Sequence, residues 1–268
     1  MRIQDSFVSL VQRTVTPRAA VPVPSGDTVE LAPVTPEKEA VIRAMIRKAP
    51  DELSRERVVE ALAAYPLEAL ERVQAYGTLI EVYDFAAGEG VPSYLPTLSN
   101  PDTLGAYNTK ANVLGFNRSN LTPFAVLHEF AHALDMSMGE PSRTPEWRGA
   151  HALAANTNQV VRDYAKQDPS EYLAESVAAY LVPDQALVPL IERGLAEERG
   201  LGGLDEREYW QMHQNFCHGR LERVDGEGYR LVRELLEEDE VPAVAPLPAM
   251  SEEQWNQFLL SSPQPAAS

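Results

Sequence analysis

LTPFAVLHEFAHALDMSMG, residues 121–139, decides how this chain is read. Thr122 followed by Pro123 predicts a helix start. The threonine hydroxyl can accept from a first-turn amide, and the fixed φ of proline suits the first helical position. Gly139 is a stop signal, so one helix is predicted to about Met138. Within it His128, Glu129 and His132 form the pattern H-E-x-x-H. Positions four apart share a helix face, so the two imidazoles can grip one Zn²⁺ between them. Glu129, beside the first of them, can reach a water on that metal. Chance placement of the chain's histidines and glutamates would give this pattern about 0.01 times. The plain alternative is two unrelated histidines around a solvated glutamate.

A hydrolytic zinc site needs a third protein ligand and an open fourth position. The HALDMSMGEP stretch supplies no further histidine. Downstream, Asp168-Pro169 predicts another helix, ending before Pro183, over DPSEYLAESVAAYL. It carries Glu171 and Glu175 four apart among Leu173, Ala174, Val177, Ala178 and Leu181. Burying that face buries charge, which is costly unless a cation or hydrogen bonds compensate. Glu171 is read as the third ligand and Glu175 as an acceptor from a ligand imidazole N–H. Asp168 to Glu171 also has the spacing of a capping box, which would turn Glu171 back to the backbone instead. Tyr164, at the end of a helix predicted from Thr144-Pro145, either donates to an oxyanion or closes that helix as a core residue. Spacing leaves both open.

Outward from these helices the pattern is mixed. Apolar runs Leu104–Tyr107 and Val113–Phe116 flank Asn108, Thr109 and Lys110, which predicts a hairpin. The 113–116 strand is expected along the cleft, with a free edge for an extended peptide. TLIEVYDF, from Thr78, alternates like a strand, and 86–101 reads as an exposed Gly/Pro/Ser loop. Helical spacing runs through PEKEAVIRAMIRKAP, including Ile46, then over Glu52–Ala64 and Pro66–Ala75, with further candidates at 205–218 and 228–238. Ser251 to Gln254 has the form of a capping box. The organisation expected is a disordered or linker-like arm over 1–36, one domain over 37–240 and a Pro/Ala-rich tail over 241–268.

The 268 residues are 44% hydrophobic and 24% charged, as in an ordinary globular protein. A net charge of −17 argues against nucleic acid or an anionic membrane as main partner. A single cysteine, Cys217, excludes a disulfide framework. No apolar run reaches the length of a membrane span, and the N-terminus lacks an ordinary signal sequence. A soluble protein is expected, either cytoplasmic or exported without such a signal. His151 reads as structural or exposed. His213 and His218, five apart around Cys217, do not share a helix face, and with a single thiol they make a poor metal set.

HEFAHALD together with Tyr164, Glu171 and Glu175, spaced as Y-x6-E-x3-E, resembles the zinc peptidase domain of the anthrax lethal factor and Pro-Pro endopeptidase family. GAYNTKANVLGF is similar to that family's segment before the active-site helix. The Mlc titration factor peptidases have a similar arrangement. The resemblance covers about residues 60–185. It implies an α+β, zincin-like fold: predominantly helical, with a small twisted sheet and a cleft between two active-site helices. It implies one Zn²⁺ per chain held by His128, His132 and Glu171, with Glu129 as catalytic acid/base. It also implies Tyr164 as transition-state donor, Glu175 as outer glutamate, and a peptide or protein as substrate. The residues that would select the substrate are not identifiable from sequence. The rival class is a catalytically silent zinc-binding or protein-interaction module on the same fold, and a small-molecule amidase is a third reading. A silent relative tends to lose the glutamate or a histidine of the motif first, and here all three are present.

Overall fold

The computed structural model describes residues 33–100, 103–182, 218–237 and 244–261. Helix α1 (Pro36–Met45) begins on Thr35, whose Oγ1 accepts from Lys38 N at 3.3 Å. Its stripe does not continue as helix. Ile46 adopts extended backbone and opens strand β1 (Ile46–Lys48), which pairs in parallel with β2 (Leu79–Tyr83). Pairing with the sheet overrides the local helical preference. Between the two strands lie α2 (Glu52–Leu62), capped by Asp51, and α3 (Leu67–Tyr76). Pro66 stands just outside α3, and Gly77 ends it at φ 91°, a conformation cheap only for glycine.

The hairpin forms as β3 (Gly105–Asn108) and β4 (Val113–Asn117). Sheet order is β1-β2-β4-β3, with β2 and β4 parallel and β3 antiparallel to β4. Both edges of β4 are therefore hydrogen-bonded, and the expected free edge at 113–116 belongs to β3 instead. Strand order is a long-range property, which the hairpin's own residues do not encode.

Both faces of the sheet are covered. Ile80, Val82, Leu114 and Phe116 join the main core with α1, α2, α3, helix α4 (Pro123–Ser137) and helix α6 (Pro169–Leu181). On the other face Tyr83 and Val113 pack with Tyr94, Leu95, Leu98, Ala111 and Trp255. The described part of the 86–101 segment is largely exposed, as expected of a loop, but Tyr94, Leu95 and Leu98 are buried, and Pro96–Ser99 forms a 3₁₀ turn. The buried carboxylate of Glu81 is matched by Arg47 Nε at 2.7 Å, Tyr94 OH at 2.7 Å and the Tyr83 hydroxyl, as a buried charge requires.

Helix α5 (Pro145–Thr157) stops at Asn158, φ 58°, well short of Tyr164. Tyr164 instead sits on a separate 3₁₀ turn, Asp163–Lys166. Helices α7 (His218–Val224) and α8 (Gly226–Glu237) pack on α6, where Tyr172 OH donates to Asp225 Oδ2 at 2.5 Å. The last element, α9 (Glu252–Ser261), carries the expected capping box. Gln254 N donates to Ser251 Oγ at 3.2 Å, and Ser251 N donates to Gln254 Oε1 at 2.7 Å. The Pro/Ala-rich segment before it is fastened to the body. Leu247 N donates to Tyr76 O at 2.9 Å, Met250 N donates to Ala111 O at 2.7 Å, and the Asn112 amide bonds Leu247 O. The described part is mainly helical with a small four-stranded sheet, an α+β arrangement. None of its helices is long and apolar enough to cross a membrane. Residues 1–32, the candidate helix up to 217, His213 and Cys217 lie outside the described residues.

Candidate metal centre

Helix α4 is a core helix, and that positions its histidines. Thr122 Oγ1 caps it, accepting from Ala125 N at 3.2 Å, a contact worth about 1 kcal/mol. Leu127, Phe130, Ala131 and Leu134 are buried against α2, α3 and α6. Each large apolar side chain so buried contributes about 1.5–3 kcal/mol. Tyr65 OH donates to the Leu127 carbonyl at 2.6 Å and ties the helix to the chain after α2. The remaining face of α4 turns His128, Glu129, His132 and Asp135 toward a cleft of about 850 Å³. The other walls include β3, the 3₁₀ turn bearing Tyr164, and the first turn of α6.

Three atoms converge there. His128 Nε2 and His132 Nε2 are 3.2 Å apart, and Glu171 Oε2 lies 3.1 Å from the first and 3.4 Å from the second. A tetrahedral zinc with bonds of about 2.0–2.1 Å has ligand–ligand edges of about 3.3–3.4 Å. The triangle therefore has the size of one face of that tetrahedron. Glu171 Oε2 is buried and forms no well-aligned hydrogen bond, which fits an atom free to take a cation. The donor set, two imidazoles and one carboxylate, suits zinc. His128, His132 and Glu171 could together hold a metal ion.

The carboxylates around His128 act on its charge. Burial alone would lower its pKa, but Glu171 and Glu175 outweigh burial and raise it to about 10. Burial opposes ionisation of Glu171, yet the two imidazoles beside it hold its carboxyl well below the usual range. A pocket that favours a proton on His128 this strongly favours positive charge in general.

Asp168 Oδ1 caps α6, accepting from Ser170 N at 2.8 Å and Glu171 N at 3.0 Å. The reciprocal half of a capping box does not form. Glu171 Oε2 faces the histidines, and its Oε1 accepts from Tyr164 OH at 3.4 Å. One turn further, Glu175 is 1% exposed, with Oε1 at 3.3 Å from His128 Nδ1 and Oε2 at 3.7 Å from Arg162 Nε. Arg162 also lies 4.6 Å over the Phe124 ring. Tyr164 is 43% exposed at the cleft mouth, its ring 5.9 Å from that of His128. The core-packing alternative for this tyrosine therefore falls. Its hydroxyl pKa is pushed up to about 12 by partial burial and by Glu171 and Glu129, so it keeps its proton at neutral pH. Glu129 is half-buried, and burial raises its pKa against the pull of the two histidines.

No family model matches the chain, and no curated protein sequence does. Among solved structures, the Pro-Pro endopeptidase of Paenibacillus alvei aligns with a TM-score of 0.46 at 16% identity. The alignment covers 73% of this chain and 99% of that one.

Several residues of the site escaped the sequence reading. Ser170 Oγ lies 3.1 Å from His132 Nδ1 and fixes that ring. Asp135, one turn past His132, accepts from Ser142 N at 2.9 Å and Ser142 Oγ at 2.6 Å, which holds the cleft wall after α4. Gly105 presses on the catalytic candidate: a Cβ there would meet Glu129 Cγ at 2.7 Å. The sequence signal for Asp135 was its place three residues after His132. Gly105 heads the segment GAYNTKANVLGF, which carries no mark of its contact with Glu129, and Ser170 gave no signal. Of the other histidines, His151 Nε2 pairs with Lys166 O at 3.3 Å, and His218 bridges Tyr180 O and Tyr229 OH. Both are occupied away from the cluster.

Proposed function

We propose that the chain is a zinc-dependent endopeptidase of zincin-like fold. The observation that supports this best is the 3.1–3.4 Å triangle of His128, His132 and Glu171 in a cleft that also holds Glu129 and Tyr164. His128, His132 and Glu171 would hold the zinc ion, which when bound would supply Lewis acidity and make water a stronger acid. Glu129, its pKa raised by burial, is suited to take a proton from water and return it to the leaving amine. Tyr164 keeps its proton and reaches into the same cleft, where its O–H can donate to the oxyanion of the scissile carbonyl. Ser170 pairs with Nδ1 of His132, and Glu175 stands 3.3 Å from Nδ1 of His128, where its charge can orient that ring. The free edge of β3 borders the cleft, so an extended peptide can add to it as a further strand.

The test is metal analysis of tag-free protein with digestion of a proteome-derived peptide library, before and after chelation. About one equivalent of zinc is expected, with cleavage lost on chelation and restored by zinc. A folded, metal-free protein from zinc-replete medium overturns the reading. One equivalent of zinc without cleavage favours the silent binding module.

Tyr164→Phe is expected to keep zinc, substrate binding and melting temperature while kcat falls on the order of 100-fold. The hydroxyl's partner in the fold is a long 3.4 Å contact at an exposed position, so stability should hardly change. Activity within a few fold of wild type would remove Tyr164 from the mechanism.

A further inference from the structure

Past the metal cluster the cleft continues along β3. A second hollow of about 390 Å³ opens there, bordered by Tyr94, Leu95, Pro96 and, from α9, Trp255. Thr97, Ala106, Tyr107 and Thr109 border both spaces, so the two adjoin. Trp255 is 8% exposed, and its buried indole N–H has no acceptor among the described residues. Buried indole N–H groups ordinarily find one.

Strand geometry sets the distance. Gly105 abuts Glu129, and Asn108 borders the hollow three residues on, about 10 Å at 3.3 Å per residue. A peptide paired with the free edge of β3 advances at the same rise, and its side chains alternate sides. A residue two or three places from the scissile bond therefore reaches the hollow, and alternation points only one of those two into it.

We propose that this hollow is a specificity pocket for a large apolar or aromatic substrate side chain two or three residues from the scissile bond, with Trp255 as its determining residue. The inference rests on the peptidase reading. Tyr94, Leu95, Pro96, Tyr107 and Trp255 give it apolar and aromatic walls, with Asn108 and Lys110 as polar neighbours on the same rim. Trp255 belongs to the C-terminal helix, which the metal site itself does not use.

The experiment compares wild type, Trp255→Ala and Glu129→Gln on one peptide library, with cleavage sites read by mass spectrometry. Wild type should favour large apolar residues at one position, the second or third from the cut. Trp255→Ala should flatten that preference, with kcat/KM on the best peptide falling on the order of tenfold. Both enzymes should cleave that peptide alike once its apolar residue is replaced by alanine. Should Trp255→Ala fail to melt cooperatively, Trp255→Phe keeps a ring in the core and should show a smaller loss at the same position. Cleavage with no preference there, or a preference unchanged by either variant, overturns the pocket and leaves the peptidase reading standing. Wild type as inert as Glu129→Gln overturns both.

Discussion

Glu129→Gln should bind about one equivalent of zinc, melt like wild type and lose at least 1,000-fold in kcat/KM, on the order expected for a positioned acid/base. The substitution keeps shape and removes only the ability to hold and release a proton. Glu129 is not a corner of the ligand triangle, so zinc content should not move. Its carboxylate is half-buried, and burial opposes its charge. A neutral amide there should therefore fold without strain, and stability should hold or rise slightly. Steady-state kinetics on a fluorogenic peptide, with zinc analysis of the same sample, checks both halves. Activity within tenfold of wild type would show that another group moves the proton.

Glu171→Ala should instead lose the metal. One corner of the triangle disappears, and with it the negative charge between the two imidazoles. Zinc affinity should fall by at least about 100-fold, since losing a ligand costs more than losing a group that merely orients one. Activity should vanish in metal-buffered assays. Helix α6 should survive, because its cap comes from the Asp168 side chain to two backbone amides. Competition with a zinc-binding dye measures the affinity. Wild-type affinity in this variant would remove Glu171 from the ligand set. Glu175 offers no substitute from its present position, since it faces Nδ1 of His128 while the triangle is built on Nε2.

The two helices of the centre were legible in sequence because their signals are local. Thr122-Pro123 and Asp168-Pro169 mark their starts, and spacings of four put His128 with His132 and Glu171 with Glu175 on common faces. What was not legible depended on distant partners. Ile46 leaves its helix to pair with Ile80. Tyr164 lies on its own turn because Asn158 ends α5 in a left-handed conformation, a stop signal weaker in sequence than glycine. The free edge fell to β3 because β2 claims the other side of β4. Tyr94, Leu95 and Leu98, written among Gly, Pro and Ser, are buried under the C-terminal segment. Ser170 and Ser142 gain their roles only once a histidine and an aspartate from another helix are brought beside them.

The contact between Gly105 and Glu129 has a consequence for descent. No side chain larger than hydrogen fits at 105 unless Glu129 moves, and the Phe116 ring, 2.9 Å from the same point, closes the other way out. Lineages that keep the proton-transfer chemistry should be barred from replacing this glycine, although it holds no ligand and lies outside H-E-x-x-H. Lineages that have abandoned catalysis but still hold zinc are released from that bar first. When relatives of this chain are aligned, a bulky residue opposite Gly105 should therefore mark the silent ones, even where H-E-x-x-H is intact.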